Sequence, residues 1–478
     1  MRILNLSLCF FLLIGFSQAQ QQFDLVIEGG RVMDPETGLD AIRNVGITGD
    51  KIARISETPL SGKRTLSAKG LVVAPGFIDL HEHAQELDSQ RLKAFDGVTT
   101  ALEMEIGKPD VAAFLQARAG HSLINYGTSA SHVAARSVAL GAPLPELLPK
   151  AGPATDQPAT VEQIEQMKER LNHEFDMGAL GIGMGIAYTP GATRSEVIQI
   201  FRLAAERTVP VFTHVRSSGR VEPGSSIEAV SEVIGAAAIT GASLHIVHVN
   251  SSCMQDAPEC LSMIAGARAR GLDVTTESYP YIAGMTYINS AVFNPGWQQR
   301  IGISYDSLEL PDTGERLTKE KFEALHNSNK PQLVLIFQNT QAAVDAVITN
   351  PLVMIASDGL ISHPRNAGTF SRVLRQYVRD QGSLTLMDAL RKMTLMPAEV
   401  LQSATPAARR KGRMQEGTDA DIVVFDPKTI TDRSTFQLPM EQSTGVQYLV
   451  VCGKVLIDQG KLVANEFPGR PLLGPGQH

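Results

Sequence analysis

Eight apolar runs of strand length recur through the middle of this chain, at 72–80, 98–105, 123–129, 179–185, 209–215, 243–249, 272–277 and 352–357. Helix-patterned or polar stretches separate them. Eight buried strands with a helix between each pair predict an α/β fold, a (β/α)8 TIM-like barrel. Two of the intervening helices begin with capping-box patterns, Thr160 with Gln163 and Thr193 with Glu196. In the first of them Val161, Ile164, Met167, Leu171 and Phe175 recur at helical spacing and predict one buried face.

The two ends of the chain have another texture. Short strand-like segments occur at 23–27, 45–47 and 52–55, and again at 421–425 and 448–453. These flanks are expected to pair into one small β-sandwich domain built from residues 20–73 and 405–478, with the barrel over 74–404. The stretch 294–330 is polar and irregular, and reads as an insertion between the seventh and eighth strands.

Residues 1–19 read as a signal peptide. Arg2 supplies the positive start, 3–16 is mostly apolar, and Ser17-Gln18-Ala19 offers the small residues that a signal peptidase needs. The apolar run is shorter than the roughly 20 residues that cross a bilayer. The expectation is an exported protein, periplasmic or secreted, with no membrane partner after cleavage. Cys9 leaves with the signal, and Cys253 and Cys260 stand close enough in sequence to pair in an oxidising compartment. Four cysteines in 478 residues exclude a disulfide scaffold. Lys and Arg total 43 against 50 Asp and Glu, with no long basic run, which argues against nucleic acid as a partner.

Polar residues gather where the strands end. The first run ends in Asp79-Leu80-His81-Glu82-His83, and two histidines at i and i+2 on an extended segment point the same way. The second ends with Glu103 and Glu105 on one face, and carboxylates inside an apolar strand need water or a cation. The fifth ends at His214-Val215-Arg216, the sixth at His245-Ile246-Val247-His248, and the eighth at Ser357-Asp358-Gly359. A single strand-end histidine is more often structural than a ligand. Five strands that each deliver a His, Glu or Asp to one barrel face are another matter, because catalytic residues of this fold sit there. Imidazole and carboxylate without paired thiolates suit zinc or another borderline divalent metal.

The segment 73–83 (VAPGFIDLHEH) resembles the opening signature of the amidohydrolase superfamily. Within it the chain is similar to the D-aminoacylase group, the N-acyl-D-amino-acid deacylases. Residues 178–188 (GALGIGMGIAY), Thr213-His214-Val215-Arg216, Tyr279-Pro280-Tyr281 and the stretch 357–378, with SDG, HPR, GTF and RVL in order, carry the likeness over nearly the whole mature chain.

That resemblance implies a hydrolase that cleaves the amide bond of N-acyl-D-amino acids, N-acyl-D-glutamate among them, with one or two zinc-like divalent cations. It implies His81, His83, His214 and His248 as metal ligands, with Asp358 as ligand and general base. Many members carry a cysteine ligand after the second strand. Here strict register puts Ile106 at that position, so Glu105 is expected to take over, with Glu103 the second choice. The group's lysine after the sixth strand is replaced by Asn250, which bears on substrate choice. The absence of a lysine from the fourth strand disfavours the carboxylated-lysine bridge of the hydantoinase and dihydroorotase branch.

An N-acyl amino acid also carries a carboxylate, and an arginine fork suits it. Arg216 and Arg365 follow strand ends and are candidates, with Tyr188 and Tyr281 as further substrate contacts. His132 and His363 are weaker candidates for the site, and His121, His173, His326 and His478 read as surface residues. The competing readings are a dipeptidase or cyclic-amide hydrolase of the same superfamily, and a catalytically dead scaffold. The near-complete ligand set argues against the last.

Overall fold

A computed structural model describes residues 22–328 and 330–476. The expected signal peptide at 1–19 lies outside the described residues, and no helix among them is long and apolar enough to cross a membrane.

Eight parallel strands form the barrel: β1 (Phe77–Asp79), β2 (Val98–Lys108), β3 (Asn125–Ser131), β4 (Ile182–Gly185), β5 (Val211–His214), β6 (Leu244–Ile246), β7 (Val274–Ser278) and β8 (Val353–Ile355). They are ordered β1 to β8 around one sheet. The predicted first run is two strands. Val72–Pro75 belongs to the outer sheet, and the chain passes into the barrel only at Phe77. Between them Gly76 is wedged against the barrel, where a Cβ would lie 2.2 Å from Thr99.

The helix Val161–Asp176 carries its full capping box, with Thr160 and Gln163 each accepting the other's backbone N–H. Ile164, Met167, Leu171 and Phe175 are buried as the periodicity predicts, whereas Val161 is 72% exposed because it lies on the first turn, beyond the barrel's reach. The second predicted box is only half formed. Thr193 accepts from the Glu196 N–H, but the Glu196 carboxylate turns inward to His132 and Arg136.

The two chain ends do meet. Val72–Pro75 pairs antiparallel with Ile422–Phe425 and parallel with Gln22–Asp34, which joins both flanks into one nine-stranded sheet. The expected boundary at the C-terminal end needs correction. Beyond Lys461–Leu462 the tail leaves this sheet and docks on the barrel, with Leu472 N donating to Tyr126 O at 2.7 Å and Gly474 N to Gly178 O at 2.9 Å. Gly474 is required by that approach, since a Cβ there would sit 1.9 Å from the Ala179 carbonyl oxygen.

The insertion is also wider and more ordered than its sequence suggests, running from 283 to 337 instead of 294 to 330. Ala283–Tyr287, Leu308–Glu309 and Leu333–Phe337 form a three-stranded antiparallel sheet. Beneath it Phe293, Trp297 and Phe322 pack ring on ring, with centroids 5.3 to 5.6 Å apart. Polar residues dominate the count, but these few aromatics suffice for a small core of their own. His326, expected at the surface, stacks on Phe322 and donates to the Ile288 carbonyl at 2.7 Å.

Candidate metal centre

His81 and His83 leave β1 two residues apart, and their Nε2 atoms stand 3.1 Å from each other. Glu105 Oε2 lies 3.1 Å from both, and Asp358 Oδ1 lies 3.4 Å from both. The opposite ring nitrogens are already committed. His81 Nδ1 donates to Glu277 at 2.5 Å and His83 Nδ1 to Glu103 at 2.6 Å. Donation at Nδ1 leaves each Nε2 with a lone pair. Two ring nitrogens and two carboxylate oxygens therefore converge on one point, an arrangement that needs either protons on the imidazoles or a cation between them. Burial alone would depress both imidazoles. For His81 the Asp358, Glu105 and Glu277 carboxylates override it, and for His83 chiefly Glu103, so both are held well above the usual histidine range.

A second group shares one member with the first. Glu105 Oε1 lies 2.7 Å from His214 Nδ1 and 2.9 Å from His248 Nε2, while His248 Nδ1 is 3.0 Å from Ser252 Oγ. The ligand atoms of His81, His83, Glu105 and Asp358 all lie within 4.8 Å of one another, as do those of Glu105, His214 and His248. The two oxygens of one carboxylate thus face two separate acceptor clusters. Burial raises the Glu105 carboxyl, but His81, His214 and His248 outweigh it and hold the group well below the usual carboxylate range. This donor set fits one or two divalent cations of the zinc type. Glu103, the other candidate ligand, stands behind His83 as its hydrogen-bond acceptor. Of the two it is Glu105 that faces the centre.

His248 and Asp358 share a further property: both have left-handed backbones, with φ of 33° and 51°. For residues with a Cβ this conformation is strained, and such strain concentrates at functional sites.

A seam in the barrel runs beside the centre. Among the described residues no strand ladder joins β8 to β1. The gap is closed by bonds from Gly359 N to His81 O at 3.2 Å and from His83 N to Gly359 O at 3.0 Å. Gly359 permits the contact, because a Cβ there would lie 2.2 Å from Glu82 Oε2. Below it Lys93, 1% exposed on the helix Leu87–Phe95, reaches Asp79 at 2.8 Å, Glu82 at 2.5 Å and Ser357 Oγ at 2.6 Å. Asp79 also accepts from Ser357 N at 3.0 Å. One buried ammonium thus ties the strand bearing His81 and His83 to the strand bearing Asp358. Burial works against the Lys93 charge, and the Asp79 and Glu82 carboxylates more than offset it, raising its pKa.

The other expected contacts divide. Tyr188 lines the cavity and meets His214 edge-on at 4.8 Å. Arg365 is fully buried behind Asp358, 2.9 Å from Oδ2, and stacks over Tyr279 at 4.6 Å. None of its three guanidinium nitrogens makes a hydrogen bond of good geometry. Arg216 lines the cavity, but its fork is taken: Nε and one amino group bind Glu232 at 2.8 and 2.6 Å, and the other donates to Pro190 O. It has no bidentate face left for a substrate carboxylate. Tyr281 and Asn250 stand outside the cavity wall. Tyr281 donates to Pro364 O at 3.3 Å, and Asn250 to Tyr279 O at 3.2 Å, so each shapes a neighbouring segment instead.

His132 is buried against Glu196 at 2.9 Å and does not face the site. His363 shapes its loop, donating to Ala283 O and accepting from Arg365 N. Cys253 and Cys260 are buried free thiols. Glu277 and Lys93 escape the sequence reading, although a carboxylate in the apolar strand 272–277 was the same kind of signal that marked Glu103 and Glu105.

The cavity over the centre holds about 330 Å³, walled by His83, His214, His248 and Asp358 on one side and by Met285, Tyr287 and Ile336 of the insertion on the other. A family model described as amidohydrolase family matches residues 64–457. An N-acyl-D-glutamate deacylase of Alcaligenes xylosoxydans xylosoxydans is 32% identical, over 95% of this chain and 97% of that protein. A D-aminoacylase of the same organism is 28% identical, over 95% of this chain and 98% of that one. Among solved structures, N-acyl-D-glutamate deacylase from Bordetella bronchiseptica, complexed with zinc and a phosphonate mimic of the tetrahedral intermediate, matches with a TM-score of 0.81. The two are 26% identical, with 95% of this chain and all of that one covered. With the barrel, the paired ligand groups and a family model spanning most of its length, this chain belongs to the amidohydrolase family.

Proposed function

We propose that the protein is a metal-dependent deacylase that hydrolyses the amide bond of N-acyl-D-amino acids, N-acyl-D-glutamate among them, after export to the periplasm or the medium. The observation that carries this reading is the pair of ligand groups joined by Glu105, with Asp358 held between them and a buried arginine. His81, His83, Glu105 and Asp358 would hold one zinc-like cation, and Glu105, His214 and His248 a second. When bound, such a cation lowers the pKa of water towards 7 and polarises a carbonyl oxygen.

The chain's own residues do the rest. Asp358 takes the proton of the attacking water and returns it to the leaving nitrogen. Burial would keep its carboxyl protonated, but Arg365, His81 and His83 hold it far below the usual range, so it is ionised at neutral pH and has a free site for a proton. Arg365 stands behind Asp358, paired with it at 2.9 Å and outside the cavity wall; as the cation nearest the base, with further donors left over, it is the residue assigned to the substrate carboxylate. The insertion narrows the cavity and limits bulk water around the scissile bond.

The test is a panel of N-acetyl-D- and L-amino acids, with and without chelator, alongside metal analysis. D-selective, chelator-sensitive release of the free amino acid is expected. Asp358→Asn should abolish turnover while most of the metal stays bound. Hydrolysis of dipeptides or hydantoins without activity on N-acetyl-D-amino acids would replace this reading with a cyclic-amide or peptide hydrolase. Export predicts a mature chain that begins at Gln20, checked by N-terminal sequencing of protein from a fractionated culture. A chain retained in the cytoplasm with Met1 intact would refute it.

A further inference from the structure

A second cavity, of about 590 Å³, adjoins the one above the metal centre, and Leu147, Leu148 and Tyr287 border both. Most of its wall is the segment 141–154, which follows β3 and the helix His132–Ala139 and is rich in proline, alanine and leucine. Leu144 in this segment lines the cavity and is 52% exposed.

The wall is anchored. Arg136, fully buried, donates through Nε to the Ala154 carbonyl at 2.8 Å and through an amino group to the Gln157 carbonyl. Its charge is met by buried Glu196, which also binds His132 at 2.9 Å. This buried trio takes no part in the reaction; it pins the far end of the 141–154 segment to the barrel.

The strand order decides which end of a substrate the cavity meets. Strand β3 lies four strands from β7, diametrically across the barrel mouth. Tyr279 and Arg365 follow β7 and β8, so a carboxylate held by Arg365 and a nitrogen beside Asp358 put the amino-acid half on that side. The acyl half then points across the metal centre towards the β3 side, where Leu147, Leu148 and Tyr287 are the shared wall between the metal cavity and the second one.

We propose that this cavity holds the alkyl tail of the acyl group, so that the preferred substrates are N-acyl-D-amino acids with medium or long unbranched acyl chains. The inference rests on the deacylase reading above. Each methylene withdrawn from water is worth about fourfold in affinity.

The experiment uses the metal-loaded full chain with N-acetyl, N-hexanoyl and N-decanoyl derivatives of one D-amino acid, and N-acetyl derivatives of D-amino acids with short and long side chains. From acetyl to decanoyl, kcat/KM is expected to rise at least about tenfold, mostly through KM. Ala142→Trp and Leu144→Asp, which alter only the second cavity, should remove that gain and leave N-acetyl turnover within about twofold. N-acetyl turnover in the variants also reports that they have folded. Equal kcat/KM across the acyl series, with N-acetyl substrates still hydrolysed, would overturn the inference and leave the deacylase reading standing. So would a gain that follows the side chain instead of the acyl chain. Failure on every N-acyl-D-amino acid would overturn the deacylase reading itself.

Discussion

Glu105→Ala will cost at least about a thousandfold in kcat/KM and will lower the bound metal at both positions. The effect is expected to exceed that of removing any one histidine, because among the described residues no other side chain serves both groups. Its two oxygens lie within 3.1 Å of four imidazole nitrogens, two on each side. Glu105→Asp is the informative companion. It keeps the charge but withdraws the carboxylate by one methylene, so it can reach one cluster and not both. Elemental analysis should find fewer metal ions per chain in Glu105→Asp than in the wild type, with the Ala variant lowest. Wild-type metal content in both variants would mean that the carboxylate is not a bridge.

Lys93→Met should be the most damaging change among residues that touch neither substrate nor metal. It leaves Asp79 and Glu82 buried without their counter-charge, and removing one partner of a buried ion pair typically costs about 3–5 kcal/mol. The site would feel it too, because Lys93 sits at the seam where β8 meets β1 without a ladder. Loosening that seam lets Asp358 drift from His81 and His83, and losses of about 10–100-fold are usual when the groups supporting metal ligands are removed. Thermal unfolding followed by titration with zinc separates the two effects. A lowered melting temperature together with weaker zinc binding is expected. A variant that melts and binds zinc as the wild type does would show that the backbone bonds around Gly359 hold the seam alone.

The residues gathered at the candidate metal centre were legible in the sequence because each one is a local signal. His81 and His83 show the two-residue spacing of a strand, Glu103 and Glu105 interrupt an apolar run, and Asp358 ends one. Between Glu103 and Glu105 the spacing alone offered no decision, since both point inward, and only the family resemblance favours Glu105. Depth along β2 decides: Glu103 lies level with the far side of His83, and Glu105 one residue pair nearer the mouth. Arg216 shows the opposite failure. As a strand-end arginine it looked like a carboxylate receptor, but Glu232, on the helix Ser226–Thr240, reaches its fork first.

What the sequence by itself determined was periodic or local: eight buried strands in order, a β-rich texture at both ends, and polar residues at strand ends. Burial of apolar faces follows from spacing alone, so these features needed no knowledge of what lay opposite. Only the tertiary structure decided the pairings across distance. It joined Val72–Pro75 to Ile422–Phe425, brought Lys93 under the seam and aimed Glu277 at His81. It also turned one carboxylate, Glu105, towards two clusters at once. Those contacts depend on how the barrel closes, and closure is a property of all eight strands together.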